Sequence, residues 1–212
     1  MGIEYLDRYF HFDRSIIGDN PVFLEIGSYS GGNMKRLLKA FPDARIVIYE
    51  AGIDNFKSLE KSYIKLGSPA NVSIHNKAVA DSVGEIKFFE YKDKSSSNSV
   101  FERHIKKKSL TVEREHIIAS TNLQGILRDN NLEKIDVVFA NAEGIEIMLL
   151  DEVSTNKEIR SRVSQLNLSM HERIVGKEAI EKSLTNASKF YSFKQGEGKW
   201  ATHLFRRKDL IK

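Results

Sequence analysis

The stretch VFLEIGSYSGGNMKRLLKAF, residues 22–41, changes character twice within twenty positions. It opens with a nearly continuous apolar run that ends at Gly27, the pattern of a short strand buried on both faces. It closes with apolar residues at helical spacing, stopped by Pro42. Between the two lie Gly27, Gly31 and Gly32, which allow a tight turn and close approach of backbone to a ligand. Strand, glycine turn and helix in that order form the setting a nucleotide-binding loop requires.

The same alternation continues outward. ARIVIYE (44–50) reads as a second strand, and NFKSLEKSYIKLG (55–67) as a helix closed by Gly67. NVSIHNKAVA (71–80) reads as a third strand, with GEIKFFEY (84–91) as an added strand beside it. STNLQGILRDNN (120–131) reads as a helix opened by a Ser or Thr cap. KIDVVFAN (134–141) is a fourth strand, followed by a helix from Ile145. VSQLNLSMH (163–171) is a fifth strand, and KEAIEKSLTNAS (177–188) another helix. FYSFKQGEGKWATHLFRR closes the chain as a hairpin turning at Gly196 and Gly198. Such alternation predicts an α/β fold: a doubly wound, mostly parallel, Rossmann-like sheet with an added hairpin strand and a C-terminal hairpin. Ligands of such sheets bind at the carboxyl ends of the strands, near the point where strand order reverses. Residues 1–212 read as one domain, with a helical segment at 1–20 and a variable loop or substrate segment at 92–120. KDKSSSNS (92–99) reads as a mobile loop.

Composition narrows the class. The apolar fraction of 41% and charged fraction of 29% are those of a soluble globular protein. No apolar run approaches the roughly 20 residues of a membrane span. MGIEYLDRYF has early acids and no small-residue cleavage site, which argues against a signal peptide. Cysteine is absent, which removes disulfides and thiolate chemistry and fits a cytoplasmic setting. The net charge of +4 is spread along the chain, with tight basic clusters only at 106–108 and 206–208, read as solvated charge. Nucleic acid is therefore not an expected partner, and no oligomeric state is indicated.

The second strand ends in Glu50, about 20 residues beyond the glycine turn, where an acid accepts hydrogen bonds from ribose hydroxyls. Dinucleotides and S-adenosylmethionine both use this pair. The loop is G-S-Y-S-G-G rather than G-x-G-x-x-G, and no Tyr-x-x-x-Lys pair is present, so the nicotinamide reading is the weaker one. Glu25, just before Gly27, gives E-x-G-x-x-x-G through Gly31 and favours S-adenosylmethionine.

LEIGSYSGGN, VIYEAGIDNFKSLEK, NVSIHNKAVADSVGEIKFFEY, the Ser-rich stretch running into SVFE, STNLQGIL, FANAEGIEIMLL and LNLSMH follow one another between residues 22 and 171. In that order and spacing they resemble the FkbM family of S-adenosylmethionine-dependent methyltransferases. The resemblance implies a class I methyltransferase fold and O-methylation, often of sugars in glycans or natural products, so a small-molecule or glycan acceptor is expected. It implies a cofactor set of Glu25, Gly27, Ser28, Tyr29, Gly31, Asn33, Glu50, Ala51, Ala78, Val79, Ser99 and Asn141. The loop at 27–33 would hold the amino-acid end, Ala78 and Val79 would line the adenine pocket, and the loop around Ser99 would close over the site. The family's usual fourth-strand segment, Lys-Ile-Asp-Val-Glu-Gly-Ala-Glu, matches at Glu143, Gly144 and Glu146. It departs at Phe139, which stands for the Lys, and at Asn141, which stands for the Asp. His171 matches a His at the end of the fifth strand and is the expected base. The expected catalytic group is thus His171, Asn141 and Glu143, with Glu146 starting the helix or bracing the loop. No spacing demands a metal. Asn141 precedes Ala-Glu-Gly rather than Pro-Pro and an aromatic residue, which disfavours a nucleic-acid amine methyltransferase. The departures at 139 and 141 leave a non-catalytic cofactor-binding module as the alternative.

Overall fold

A computed structural model of the chain describes residues 3–6, 10–92, 95–102, 111–196 and 202–211. The elements run in order β1 (Ile3–Tyr5), β2 (His11–Asp13), β3 (Val22–Ile26), α1 (Gly32–Ala40), β4 (Arg45–Tyr49), α2 (Ile53–Lys65), β5 (Val72–His75), β6 (Ala78–Val79), β7 (Gly84–Tyr91), β8 (Val112–Thr121), α3 (Leu123–Asp129), β9 (Ile135–Ala140), α4 (Glu146–Thr155), α5 (Lys157–Arg162), β10 (Val163–Leu168), α6 (Glu172–Val175), α7 (Lys177–Ala187), β11 (Tyr191–Lys194) and β12 (His203–Arg207).

The main sheet has the order β11-β12-β10-β9-β3-β4-β5. β5, β4, β3, β9 and β10 pair in parallel, while β12 runs antiparallel between β10 and β11. From β3 the chain moves outward through α1 to β4, and later returns to β9 on the other side of β3. Strand order reverses there, so a crevice opens at the carboxyl ends of β3 and β9. Ile26 is in register with both Tyr49 and Ala140, which brings the ends of β4, β3 and β9 level.

Two apolar clusters cover the two faces. Leu24, Val138, Leu149, Leu150 and Leu166 lie in one, beneath α3 and α4. Phe12, Phe23, Met34, Leu37 and Phe139 lie in the other. Side chains on adjacent positions of a strand point to opposite faces, so Val138 and Phe139 feed different clusters.

Several expectations are corrected. The helical segment expected at 1–20 is a hairpin of β1 and β2 followed by a short 3-10 turn, Arg14–Ile16. Phe10 and Phe12 alternate with a period of two, and both are buried against the sheet, which suits a strand and not a helix. Asp13 locks the hairpin down: its N–H donates to Gln165 Oε1 at 2.7 Å, and its carboxylate receives Arg206 Nη1 at 2.8 Å. The expected third strand splits into β5 and β6, because Asn76 Nδ2 donates to the carbonyls of Glu50 and Ala51 and turns the chain away. β6 then joins a separate three-stranded sheet, order β6-β8-β7. The added strand at 84–91 is present, but its partner is β8, which lies within the segment expected to be a variable loop. α3 begins after those strands, capped by Asn122 Oδ1 receiving the Gly125 N–H, and not by Ser120 or Thr121, which end β8. The fifth strand stops at Leu168, before His171. The C-terminal hairpin is present. Its turn at Gly198 and the lysines at 106–108 lie outside the described residues.

Candidate functional site

The glycine turn follows β3. Gly27 adopts φ +80°, and its N–H donates to the Tyr49 carbonyl at 2.9 Å. Asn141 N–H donates to the Ile26 carbonyl at 3.1 Å, so the turn is pinned between the ends of β4 and β9. Tyr29 is also left-handed, φ +57°, a conformation that a bulky residue rarely adopts. It aims the Tyr29 N–H at Glu50 Oε2, 2.7 Å away.

Glu50 is 6% exposed, at the carboxyl end of β4. Its Oε1 receives the Gly52 N–H at 2.9 Å and Asn55 Nδ2 at 3.4 Å. Burial pushes its carboxyl above the usual range; the N–H groups of Tyr29 and Gly52 and the Asn55 amide pull it back, and Glu90 adds to the rise.

Beside these lies a crevice of about 630 Å³, counting the space that opens to solvent. Of the expected residues, Gly27, Tyr29, Glu50, Ala51, Ala78, Val79, Asn141 and Glu143 line it. Glu25, Ser28, Gly31, Asn33, Ser99 and His171 do not. Glu25 is fully buried on the face it shares with Phe139, where Oε1 receives Asn33 Nδ2 at 2.8 Å; it braces the start of α1. Gly31 caps α1, with no room for a β-carbon beside Leu59. Ser99 acts from behind: its Oγ donates to the Glu143 carbonyl at 2.9 Å and receives the Phe101 N–H at 3.0 Å. It thereby straps the 96–101 segment across the crevice, where Ser96, Asn98 and Val100 face inward.

Sequence reading missed Tyr49, Asn55, Lys77, Phe88 and Asn98 in the lining. Asn55 and Asn98 carried no separate signal. Lys77 follows the Asn76 turn, which became visible only when the third strand split. Its ammonium stands 3.9 Å from the Asp129 carboxylate.

The loop after β9 is built around Glu146, which is 1% exposed. Glu146 Oε1 receives the Ala142 N–H at 2.8 Å, and Oε2 the Gly144 N–H at 2.9 Å. Glu143 sits between them in a left-handed conformation, φ +60°. His171 lies behind the loop, with Nδ1 3.1 Å from Glu146 Oε1 and Nε2 3.4 Å from Glu143 Oε1. The departure at 139 has a structural account: Phe139 is fully buried and stacked on Phe23, away from the crevice. Asn141 is exposed at the crevice, and its side chain has no hydrogen-bond partner among the described residues.

No family model matches the chain, and no curated protein does either. Solved structures do match. An rRNA methylase from Streptococcus thermophilus is 8% identical, with a TM-score of 0.51, over 91% of this chain and 89% of that one. The methyltransferase PaMTH1 of Podospora anserina, solved with S-adenosylhomocysteine bound, is 13% identical, with a TM-score of 0.50, over 89% and 72%. A fibrillarin/Nop5p complex is 11% identical, with a TM-score of 0.50, over 90% and 73%. The chain has the class I methyltransferase fold. The expectation that nucleic acid is not a partner is overturned: an rRNA methylase shares this fold over nearly the whole chain, so the fold does not exclude nucleic acid.

The crevice suits S-adenosylmethionine in its chemistry. Among the described lining residues, the carboxylates of Glu50 and Glu143 outnumber the Lys77 ammonium, which favours a cationic ligand. Ile26, Ala78, Val79, Phe88 and Ile145 supply apolar wall. In the glycine turn, Ser28 Oγ is buried without a hydrogen-bond partner among the described residues.

Proposed function

We propose that this chain is an S-adenosylmethionine-dependent methyltransferase acting on a hydroxyl of a sugar, glycan or small natural product. The carrying observation is the placement of Glu50 at the carboxyl end of β4, beside the glycine turn and facing the crevice. The cofactor, when bound, supplies a methyl group already activated on a sulfonium. Glu50 would hold the ribose hydroxyls. Ile26, Ala78, Val79 and Phe88 would enclose the adenine, and the 27–29 backbone would meet the amino-acid end. Asn141 and Glu143 would face the acceptor oxygen at the other wall. The protein's main contribution is then alignment of that oxygen with the methyl group.

The order of motifs between residues 22 and 171 supports an FkbM-type assignment, and with it a hydroxyl acceptor. A cytosolic setting belongs to the same proposal, resting on the absence of cysteine.

Calorimetric titration tests the cofactor: S-adenosylmethionine should bind and NAD(H) should not, and failure to bind S-adenosylmethionine overturns the proposal. A labelled-methyl screen over sugars, sugar nucleotides, glycan fragments and RNA tests the acceptor. Transfer to RNA alone would replace the sugar class.

A further inference from the structure

We propose that Glu143, and not His171, takes the proton released by the acceptor hydroxyl, while His171 stands behind it as a second proton carrier in the Nδ1–H form set by Glu146. This inference deepens the methyltransferase reading and rests on it.

Position gives the first reason. Glu143 lines the crevice and His171 does not, so the carboxylate is the group an acceptor can touch. Its left-handed backbone, φ +60°, is held by neighbours on both sides. The Glu143 carbonyl receives Ser99 Oγ, and the N–H groups of Ala142 and Gly144 are tied to Glu146. Such strain costs free energy and persists only where surrounding bonds impose it.

Hydrogen-bond stoichiometry gives the second. An ionised carboxylate only accepts, and a neutral imidazole carries one donor and one acceptor nitrogen. Glu146 lies 3.1 Å from Nδ1, so the proton of a neutral ring belongs on Nδ1. Nε2 then presents a lone pair toward Glu143 Oε1. That contact is 3.4 Å, longer than a formed N–H···O bond. One further proton would close it.

The transfer balances. The acceptor oxygen forms a bond to the methyl carbon, and the electron pair of the broken C–S bond stays on sulfur. The acceptor O–H breaks, and its proton passes to Glu143 and is shared with His171 Nε2. The Glu143–His171 pair gains one proton per turnover and returns it to solvent when product leaves. Glu143 is the catalytic residue by contact. His171 and Glu146 are positioning residues. Glu146 serves twice, since the carboxylate that fixes the ring also shapes the 142–144 loop.

The test reads the imidazole ring directly. Long-range proton–nitrogen spectra of ¹⁵N-labelled protein without added cofactor or acceptor, with His171 assigned by its loss in His171→Gln, report which nitrogen bears the proton. The expected result is Nδ1–H in the wild type and in Glu143→Gln, and loss of that single form in Glu146→Ala, which removes the acceptor. An Nε2–H ring in the wild type overturns the proposal, and decides it even if Glu146→Ala fails to fold. On the first acceptor found by labelled-methyl transfer, Glu143→Gln should lower kcat at least 100-fold, and His171→Gln about tenfold, both with little change in KM. The reverse order overturns the assignment. Calorimetry with S-adenosylmethionine on the same variants separates the two readings. Absent binding defeats the methyltransferase proposal, whereas intact binding with the wrong ring form defeats only the relay.

Discussion

A β-carbon placed on Gly27 would lie 2.5 Å from the backbone oxygen of Asn141. The turn after β3 and the loop after β9 therefore touch backbone to backbone, and the floor of the crevice depends on that contact. Gly27→Ala meets two penalties: a left-handed conformation costing about 1–2 kcal/mol, and a clash with an atom that no side-chain motion can relieve. The expected loss is about 3 kcal/mol, which at about 2–4 °C per kcal/mol lowers Tm by roughly 10 °C. Thermal melts check this, and a Tm within a degree of wild type would show that the 141–144 loop yields freely.

Glu50 is the most exacting cofactor residue because the protein already uses its oxygens. Glu50→Gln removes the charge and turns one acceptor into a donor facing N–H groups. Charge-assisted hydrogen bonds contribute about 1.5–3 kcal/mol each, so S-adenosylmethionine affinity should fall at least about tenfold. The raised pKa sets the pH behaviour. The folded chain holds this proton more tightly than the unfolded chain. The group's contribution to stability is fully present below the ordinary carboxylate value and is lost as pH rises through the higher folded value. Cofactor affinity should run the other way, weakening on acidification at a pH where an exposed Glu would still be ionised. Calorimetry from pH 7 downward measures it; affinity flat to the ordinary carboxylate range would count against ribose binding by Glu50.

Ser99 fastens the strap. Ser99→Ala loses the bond to the Glu143 carbonyl and leaves the Phe101 N–H without its acceptor, together about 1–2 kcal/mol. Amide exchange should accelerate across 96–101 while the β3–β4–β9 centre stays protected. Equal protection in both proteins would mean that the bridge between Phe89 and Ser99 holds the strap without the hydroxyl.

What sequence patterning could and could not show follows from the range of the interactions. The central strands β3, β4 and β9 were legible because strands buried on both faces are mostly apolar, and Gly27 and Glu50 were legible because they follow such strands. β8 was not. VEREHIIAST alternates in charge and carries exposed Ile117, so its reason for being a strand lies in its partner β7, up to 36 residues away along the chain. The N-terminal hairpin was missed for a related reason: Phe10 and Phe12 declare a period of two only over three positions, and their partners Phe23 and Phe139 are remote in sequence. Ser120 and Thr121 are good caps by type, yet strand pairing claims them and leaves the cap to Asn122. At the site, residue types pointed to His171, Asn141 and Glu143, but only the fold shows that the carboxylate stands in front of the ring.

The Phe at 139 can be tested as a core residue rather than a lost functional one. Its ring lies 6.0 Å from that of Phe23 in a stacked pair, and meets Phe10 edge-on at 5.0 Å. These contacts join the sheet to the N-terminal hairpin. Phe139→Lys restores the residue type found in the resembling family, but buries an ammonium where four aromatic rings now meet. The register places Glu25 and residue 139 side by side on one face, so a partner carboxylate is within reach. An ion pair with Glu25 would recover part of the cost, while loss of a buried aromatic side chain costs about 3–5 kcal/mol. Desolvation of two charges offsets much of their attraction. The net expectation is destabilisation of about 3 kcal/mol, with weakened protection of residues 10–13, and no gain in cofactor affinity. Phe139→Leu, which keeps the apolar character, should lose roughly half as much. Denaturant unfolding of both variants decides between the two roles. A lysine variant as stable as wild type and more active in methyl transfer would return position 139 to the chemistry, whereas the expected pattern assigns it to the seam that holds the hairpin on the sheet.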